Sequence, residues 1–196
     1  MIKIIVPIVF ITLIMSTSSF ASTYDLEVNA SCSALEARFN ATLPLDRGFL
    51  STGIGAIYNH DDYKIADMKL ALGDGVLLPE LRFQLGLKGV LGNLEWDHSD
   101  GDLMAVGFLL SVKYSIPQTI SPIPIDISAG ASFAPDPLCF MDSDKYLEVR
   151  TSIDFCPVKS GAIILGYRYI EVRLDDDNGH WDMSDSTLFV GYQLRY

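Results

Sequence analysis

The chain has 196 residues, which suits a single domain, and 49% of them are hydrophobic. Its 14 basic residues against 25 acidic ones give a net charge of −11, which excludes nucleic acid as a partner because the phosphate backbone would repel it. Beyond the N-terminus no apolar run reaches the ~20 residues of a membrane-spanning helix, so the hydrophobic residues serve another architecture.

The first residues, MIKIIVPIVFITLIMSTSSFAS, have the pattern of a secretory signal peptide. Lys3 supplies the positive charge, residues 4–15 are apolar, and Ser19 and Ala21 are small residues at the cleavage positions. A membrane anchor is the alternative, but the apolar segment is short for one. We predict a cleaved signal peptide over residues 1–21 and one barrel domain over residues 22–196. Loss of Lys3 leaves 13 basic and 25 acidic residues, a net charge of −12.

After residue 22 apolar residues alternate with polar or small ones, which is the period-2 pattern of half-buried β-strands. In ELRFQLGLKGVL, for example, Leu81, Phe83, Leu85 and Leu87 share one face. The pattern predicts ten strands: 24–30, 34–43, 49–59, 63–73, 80–92, 102–114, 123–134, 145–156, 160–174 and 185–196.

One of these strands, 160–174, has two candidate outward faces. The competing sets are Leu165, Tyr167 and Tyr169 against Ile164, Ile170 and Val172. The alternation alone leaves both open.

The two faces of the other strands differ in composition. One face is apolar over several residues, whereas the other carries Gly, Ser and charges of both signs. A membrane barrel needs this combination of a lipid-facing apolar band and a tightly packed polar lumen. The near-balance of charge predicts an interior filled with ion pairs. Its candidate members are Glu36, Asp67, Asp126, Glu148 and Asp154 with Arg38, Lys69, Arg82, Lys88, Arg150 and Arg195.

The predicted fold is all-β, an antiparallel up-and-down transmembrane β-barrel of ten strands. The barrel has to close, because an open sheet edge in lipid leaves backbone groups unpaired. Eight strands are the alternative if residues 24–43 do not form two separate strands. A soluble two-layer sandwich is the alternative fold.

The predicted connections form two alternating sets. The longer, acidic set is NHDD at 59–62, NLEWDHSDGD at 93–102, PDPLCFMDSDK at 135–145 and DDDNGHWDMSD at 175–185. The plainer set is PLDRG at 44–48, DGVLLPE at 74–80, SIPQTISPIP at 115–124 and PVKSG at 157–161. Outer-membrane barrels have long external loops and short periplasmic turns. We therefore expect the acidic set outside the cell and both termini on the periplasmic side.

The last strand, LFVGYQLRY, alternates apolar residues up to the terminal aromatic residue Tyr196. This ending resembles the signal that bacterial barrel-assembly machinery reads, although Phe is the usual last residue. The pattern predicts that machinery as a partner of the C-terminal strand.

The C-terminal half carries a series of motifs found together in one known family. They are Ala134-Pro135 before an acidic and aromatic loop, Tyr146–Glu148, Leu165–Arg168, the acidic run Asp175–Asp177 and the final Gly191–Tyr196. Through these motifs, residues 130–196 resemble the YfaZ-type bacterial outer-membrane proteins. The resemblance implies a small outer-membrane barrel and transfers no catalytic residue.

All three histidines fall in the acidic connections, each within two residues of an aspartate. Carboxylates suit Ca²⁺ or Mg²⁺ and imidazole suits Zn²⁺, so a divalent-cation or pH-sensitive site is the functional hypothesis. The candidate ligands are His60, Asp61, Asp97, His98, Asp176, His180 and Asp182. The alternative is that solvated loops are rich in such residues without binding anything. We predict no cofactor.

A rim-located hydrolase acting on lipid A or phospholipid would need Ser, His and a carboxylate. Asp97, His98, Ser99 and Asp100 supply these residue types in one loop. Neighbouring loop residues rarely converge in space as a catalytic triad does, so we do not expect an enzyme.

Aromatic residues near the predicted strand ends indicate a girdle at the two membrane interfaces. They are Tyr58, Tyr63, Trp96, Tyr114, Phe133, Tyr146, Trp181 and Tyr196. Three cysteines could form one disulfide in an exported protein. Cys139 and Cys156 fall at opposite ends of one predicted strand, so a bridge between them is not expected.

Together these features predict a monomeric outer-membrane barrel of structural or surface-interaction type, with an ion-paired lumen and acidic external loops. Its expected partners are outer-membrane lipid, lipopolysaccharide and the assembly machinery, and not nucleic acid. A narrow channel for small solutes is the first alternative, and the rim hydrolase is the second.

Overall fold

Long antiparallel strands account for nearly all of the structure. The structure is a computed structural model, and it describes residues 22–60, 62–75, 80–96, 99–117, 119, 121, 123–158, 160–176 and 179–196. The strands are β1 Thr23–Ala30, β2 Ala34–Pro44, β3 Phe49–Asn59, β4 Tyr63–Asp74, β5 Leu81–Trp96, β6 Ser99–Ser115, β7 Ile125–Ala134, β8 Cys139–Met141, β9 Ser143–Val158, β10 Gly161–Asp176 and β11 Gly179–Arg195, with one 3-10 helix at Asp136–Leu138. Within those ranges, no helix has the length and apolar character needed to cross a membrane. The predicted signal peptide lies outside the described residues.

The sheet closes on itself through its first and last strands. β1 pairs antiparallel with β11, with Asp25 opposite Arg195 and Ala30 opposite Val190. The short β8 pairs with residues 103–105 of β6, beyond the part of β6 that pairs with β7. It therefore continues the place of β7 in the wall and does not count as an additional strand of the barrel. The ten-stranded barrel is therefore confirmed. The eight-stranded alternative is wrong, because β1 and β2 are separate strands paired along their length.

An apolar band surrounds the outside of the wall. Leu188 is 72% exposed, Leu85 66% and Met68 64%. On β5 the band runs from Leu81 to Leu91, and the ten steps between them, at about 3.4 Å each and tilted by about 40°, span roughly 26 Å. This height matches the hydrocarbon thickness that such barrels cross. The band faces outward all round a single closed sheet, so the two-layer sandwich is wrong.

The orientation of β10 settles the ambiguous strand. Leu165 is 60% exposed on the outside, whereas Ile164, Ile170 and Val172 are buried inside the barrel. Both faces of β10 are apolar because part of the lumen is itself apolar.

Two of the predicted long acidic loops are mostly strand. β5 continues to Trp96 before β6 begins at Ser99, and β10 continues to Asp176 before β11 begins at Gly179. The predicted connections 93–102 and 175–185 are therefore wrong in length. The wall continues beyond the apolar band, and its polar outward residues, such as Asn93 and Asp102, have the composition of a loop.

The barrel thus has two distinct ends. We call the loop end the one that carries the connections around residues 31–33, 60–62, 97–98, 135–142 and 177–178. The turn end carries the start of β1, the end of β11 and the connections around residues 45–48, 75–80, 116–124 and 159–160. Gly48 adopts a positive φ of 78° in the first of these turns, where a Cβ would meet the Gly73 carbonyl oxygen at 2.2 Å.

Candidate functional site: the barrel lumen

The loop-end half of the lumen is filled by hydrophobic side chains. Inward-facing positions of eight strands, β3–β7 and β9–β11, contribute to one buried cluster, which we call the apolar layer. It comprises Ile57, Tyr63, Ile65, Val90, Leu94, Leu103, Ala105, Ala134, Tyr146, Ile170, Val172, Leu174 and Met183. Interiors packed in this way contain few voids that water can enter. The layer therefore closes the lumen on its loop-end side.

An ion-pair network crosses the barrel next to the apolar layer, and Glu36 of β2 is one of its two centres. The Glu36 carboxylate contacts the guanidinium of Arg38, of Arg150 at 2.7 Å and of Arg168 at 3.3 Å. Asn29 donates an amide hydrogen bond to it at 3.1 Å. Glu36 is only 2% exposed, so its charge is stabilised by these partners and not by water.

Glu148 of β9 is the second centre of this network. It accepts hydrogen bonds from Lys88, from Arg38 at 3.1 Å and from the Tyr146 hydroxyl at 2.6 Å. Arg38 thus joins the two carboxylates across the lumen. The network joins strands that are distant along the chain and round the wall.

A second cross-barrel contact links the network to the apolar layer. The Tyr63 hydroxyl donates to Asp185 at 2.5 Å and accepts from Arg168 at 3.0 Å. Thr187 donates to the same Asp185 carboxylate. Tyr63 is 2% exposed inside the barrel, which places an aromatic ring and a hydrogen bond in one closing layer.

A separate ionic cluster lies at the turn end. Lys113 contacts Asp126 at 2.9 Å and Asp154 at 3.3 Å, and Arg195 contacts Asp126 at 3.5 Å and Asp25 at 3.9 Å. Arg195 belongs to the closing strand, so this cluster adds side-chain contacts to the backbone closure between β1 and β11.

Between the network and the turn end the lumen contains a cavity of about 230 Å³, which we call the lumen cavity. Arg38, Asp67 and Glu148 of the network line its inner end. Thr42 lines both this cavity and a depression at the mouth of the barrel that also contacts Arg82. The lumen cavity therefore lies on the turn-end side of the lumen, and the apolar layer lies between it and the loop end.

The predicted interior charges largely take the positions expected of them. The five acids, Glu36, Asp67, Asp126, Glu148 and Asp154, are buried inside the barrel. Arg38, Lys88, Arg150 and Arg195 form ion pairs there, and Lys69 faces the lumen cavity. Arg82 differs: it is exposed at the mouth, because β5 begins there.

The sequence prediction missed several interior ions, among them Glu27, Arg168, Lys113, Asp25 and Asp185. Glu27 and Lys113 each lie between outward-facing apolar neighbours, and this alternation could have identified them as inward-facing residues. Arg168 lies on β10, whose two apolar faces hid its direction.

The aromatic girdle is partly wrong. Tyr58, Phe133 and Tyr196 are exposed on the outside as predicted. Tyr63 and Tyr146 instead face inward and are buried, and Trp181 packs against the apolar layer. Their strand parity places them on the inner face, where aromatic bulk closes the lumen. The three cysteines are free, with Cys32 exposed, so no disulfide forms.

The predicted cation site lies mostly outside the described part of the chain. Asp61, Asp97 and His98 fall there, and nothing is described of the Asp176 and His180 side chains. His60 is exposed beside Tyr58, and Asp182 pairs with Arg173 at 2.8 Å. Among the described residues, no group of three or more His, Cys, Asp or Glu could hold a metal ion. The site stays a prediction, as does the rim hydrolase built on residues 97–100.

The family model described as YfaZ precursor matches residues 1–196, the whole chain. The chain belongs to the YfaZ family. The predicted family resemblance is therefore confirmed, and it extends beyond residues 130–196. Family membership, the closed barrel and its apolar outer band together place this YfaZ protein in an outer membrane.

Among curated proteins, none matches this YfaZ chain. Among solved structures, Neisserial surface protein A is 11% identical, with 89% of this chain and 94% of that chain covered and a TM-score of 0.36. The KdgM porin is 11% identical, with coverages of 88% and 98% and a TM-score of 0.40. The outer membrane channel DcaP of Acinetobacter baumannii is 16% identical, with coverages of 87% and 54% and a TM-score of 0.40. At TM-scores this low the likenesses carry no argument about function.

Proposed function

We propose that this YfaZ-family protein is a monomeric, non-conducting outer-membrane barrel of structural or surface-interaction type, with its loop end outside the cell. The observation that carries the proposal is the apolar layer across the lumen, backed by the ion-pair network. An ion passing through would have to lose its hydration among side chains such as Leu94, Leu103 and Leu174, all 1% exposed or less.

Single-channel recording tests the proposal. Purified protein refolded into planar bilayers should give no conductance steps above the baseline of the bare bilayer. Mobility in a gel that differs between boiled and unboiled samples confirms that the barrel is folded. Regular, protein-dependent steps would contradict the proposal and favour the narrow channel, which the lumen cavity would supply from the turn end.

Lipopolysaccharide is the proposed partner at the loop end. Outward-facing basic residues lie just beyond the apolar band: Lys64 near the Tyr58 ring at 5.8 Å, Lys145 and the 47% exposed Arg173. Cationic and aromatic groups at this depth suit the phosphate and headgroup region.

The last strand supports the proposal that the barrel-assembly machinery recognises the chain, since its apolar face is fully outward at Leu188 and Val190.

Labelling of cysteines should establish the orientation in the membrane. Cys32 is exposed in the loop-end connection between β1 and β2. In a variant that retains only this cysteine, a polymer-linked maleimide too large for porins should label intact cells. The matched control is Asp46→Cys in a chain without native cysteines, since Asp46 is exposed at the turn end. It should react only after the outer membrane is permeabilised, and the reverse pattern would invert the proposed orientation.

A further inference from the structure

We propose that the lumen cavity binds a small zwitterion, a molecule that carries one ammonium and one carboxylate group. The inference rests on two neighbouring inward-facing residues of β4, Asp67 and Lys69, whose charged groups are incompletely satisfied within the described structure. It goes beyond a structural role, because it gives the turn end of the barrel a ligand.

Asp67 supplies the acceptor. Its residue is 8% exposed, and its Oδ2 atom has no hydrogen-bond partner among the described residues. The nearest cation, the Lys88 ammonium, lies 3.6 Å from that oxygen, beyond hydrogen-bond distance, and is also bonded to Glu148. A buried carboxylate with an unpaired oxygen is costly, and Asp67 lines the lumen cavity, so a ligand ammonium beside its carboxylate would supply the missing compensation.

Lys69 supplies the donor. It lines the same cavity, and no carboxylate of the described residues forms an ion pair with its ammonium group. Met68 lies between the two residues and faces outward, so Asp67 and Lys69 are on one face of the strand and their Cα atoms are about 7 Å apart.

Two glycines of β3 make room for these side chains. A Cβ at Gly55 would stand 2.7 Å from Asp67 Oδ2, and a Cβ at Gly53 would stand 3.0 Å from Lys69 Cε. Asp67 and Lys69 therefore lie along the bare backbone of β3, and the centre of the cavity stays open. The pair is positioned by the wall before any ligand arrives.

The charge of the lining selects a zwitterion over an ion of one sign. Five acids and five bases contact the cavity: Asp25, Glu27, Asp67, Glu148 and Asp154 with Arg38, Lys69, Lys88, Lys113 and Arg150. Their formal charges cancel, so a ligand of zero net charge keeps the cavity neutral, whereas a lone cation or anion would bury an uncompensated charge. Its volume of about 230 Å³ corresponds to about eight water molecules and admits a ligand of roughly that many heavy atoms.

Titration calorimetry of the refolded protein with 5-aminovalerate tests the proposal, because this probe carries one ammonium and one carboxylate group on a short chain that fits the cavity volume. We expect saturable binding, and at least tenfold weaker binding of butylamine and valerate, which each carry one charge. Equal binding of a single-charge probe, or no binding of 5-aminovalerate to the wild type, would overturn the proposal.

Variants locate the binding. Asp67→Asn and Lys69→Gln should each weaken it at least tenfold, whereas Lys64→Gln, an exposed outward residue of the same strand, should leave it unchanged. Ser111→Phe fills the cavity without altering any charge and should abolish binding, which keeps the test decisive if Asp67→Asn fails to fold. Full binding by folded Ser111→Phe would place the ligand elsewhere and refute the site.

Discussion

Replacing Glu36 by glutamine should lower the free energy of unfolding of the barrel by about 3–5 kcal/mol, the loss that follows removal of one partner from a buried ion pair. Glu36 is 2% exposed, and three arginines converge on it. Glutamine keeps the shape of the side chain but not its negative charge. Arg38, Arg150 and Arg168 would then remain buried with less compensating charge.

Denaturant titration of the protein in lipid vesicles measures this loss, with an unchanged denaturant slope as the check that the same surface unfolds. The matched control is Glu171→Gln. Glu171 pairs with Lys145 at 2.8 Å, but on the outer surface beyond the apolar band, where an exposed pair contributes about 0.2–1 kcal/mol. Similar losses in the two variants would show that Glu36 is not a centre of the network.

The double variant Glu36→Gln/Arg168→Gln tests whether Glu36 and Arg168 stabilise the barrel through their mutual contact. Removing a cation together with the anion leaves less charge uncompensated, so its loss should be smaller than the sum of the two single losses. Strict additivity would mean that Glu36 and Arg168 do not interact, against the 3.3 Å contact between them.

The wall of the barrel follows from alternation along the sequence. Leu81, Leu85 and Leu87 predict an outward face, and the same pattern in the other segments gives strand bounds close to those observed. The pattern works because lipid demands apolar residues on every second position through the full thickness of the membrane. Past the membrane that demand ends, which is why Asn93 and Asp102 were assigned to a loop although they remain in the wall.

The interior was predictable in kind but not in arrangement. An inward charge such as Glu148 is identified by its parity, yet its partners Lys88 and Arg38 come from other strands and meet it only when the sheet closes. The apolar layer was missed altogether. Inward positions such as Ile170 carry the same kind of apolar residue as outward positions. Only the spacing of two residues between Ile170 and Arg168 on the same strand indicates that both side chains face the lumen.

Truncation of Tyr146 should open this layer. Tyr146 is fully buried, is the largest of the fully buried side chains and donates a hydrogen bond to Glu148 at 2.6 Å. Tyr146→Ala leaves a cavity between the apolar layer and the network and should lower the unfolding free energy by about 3–5 kcal/mol. Tyr146→Phe keeps the ring and removes only the hydroxyl, so we expect a loss of about 1 kcal/mol.

Conductance measurements then show whether the apolar layer blocks the passage of ions or only contributes to stability. Ile65 lies on β4, four strands round the wall from β9, so Tyr146→Ala combined with Ile65→Ala removes bulk from opposite sides of the lumen. We expect this double variant to give small, regular conductance steps in planar bilayers and Tyr146→Phe to give none. Water would enter the widened lumen from the lumen cavity, whose inner end already contacts Glu148. If the double variant folds, shown by its gel mobility before and after boiling, and still conducts nothing, the ion-pair network closes the barrel by itself and the apolar layer is not the barrier.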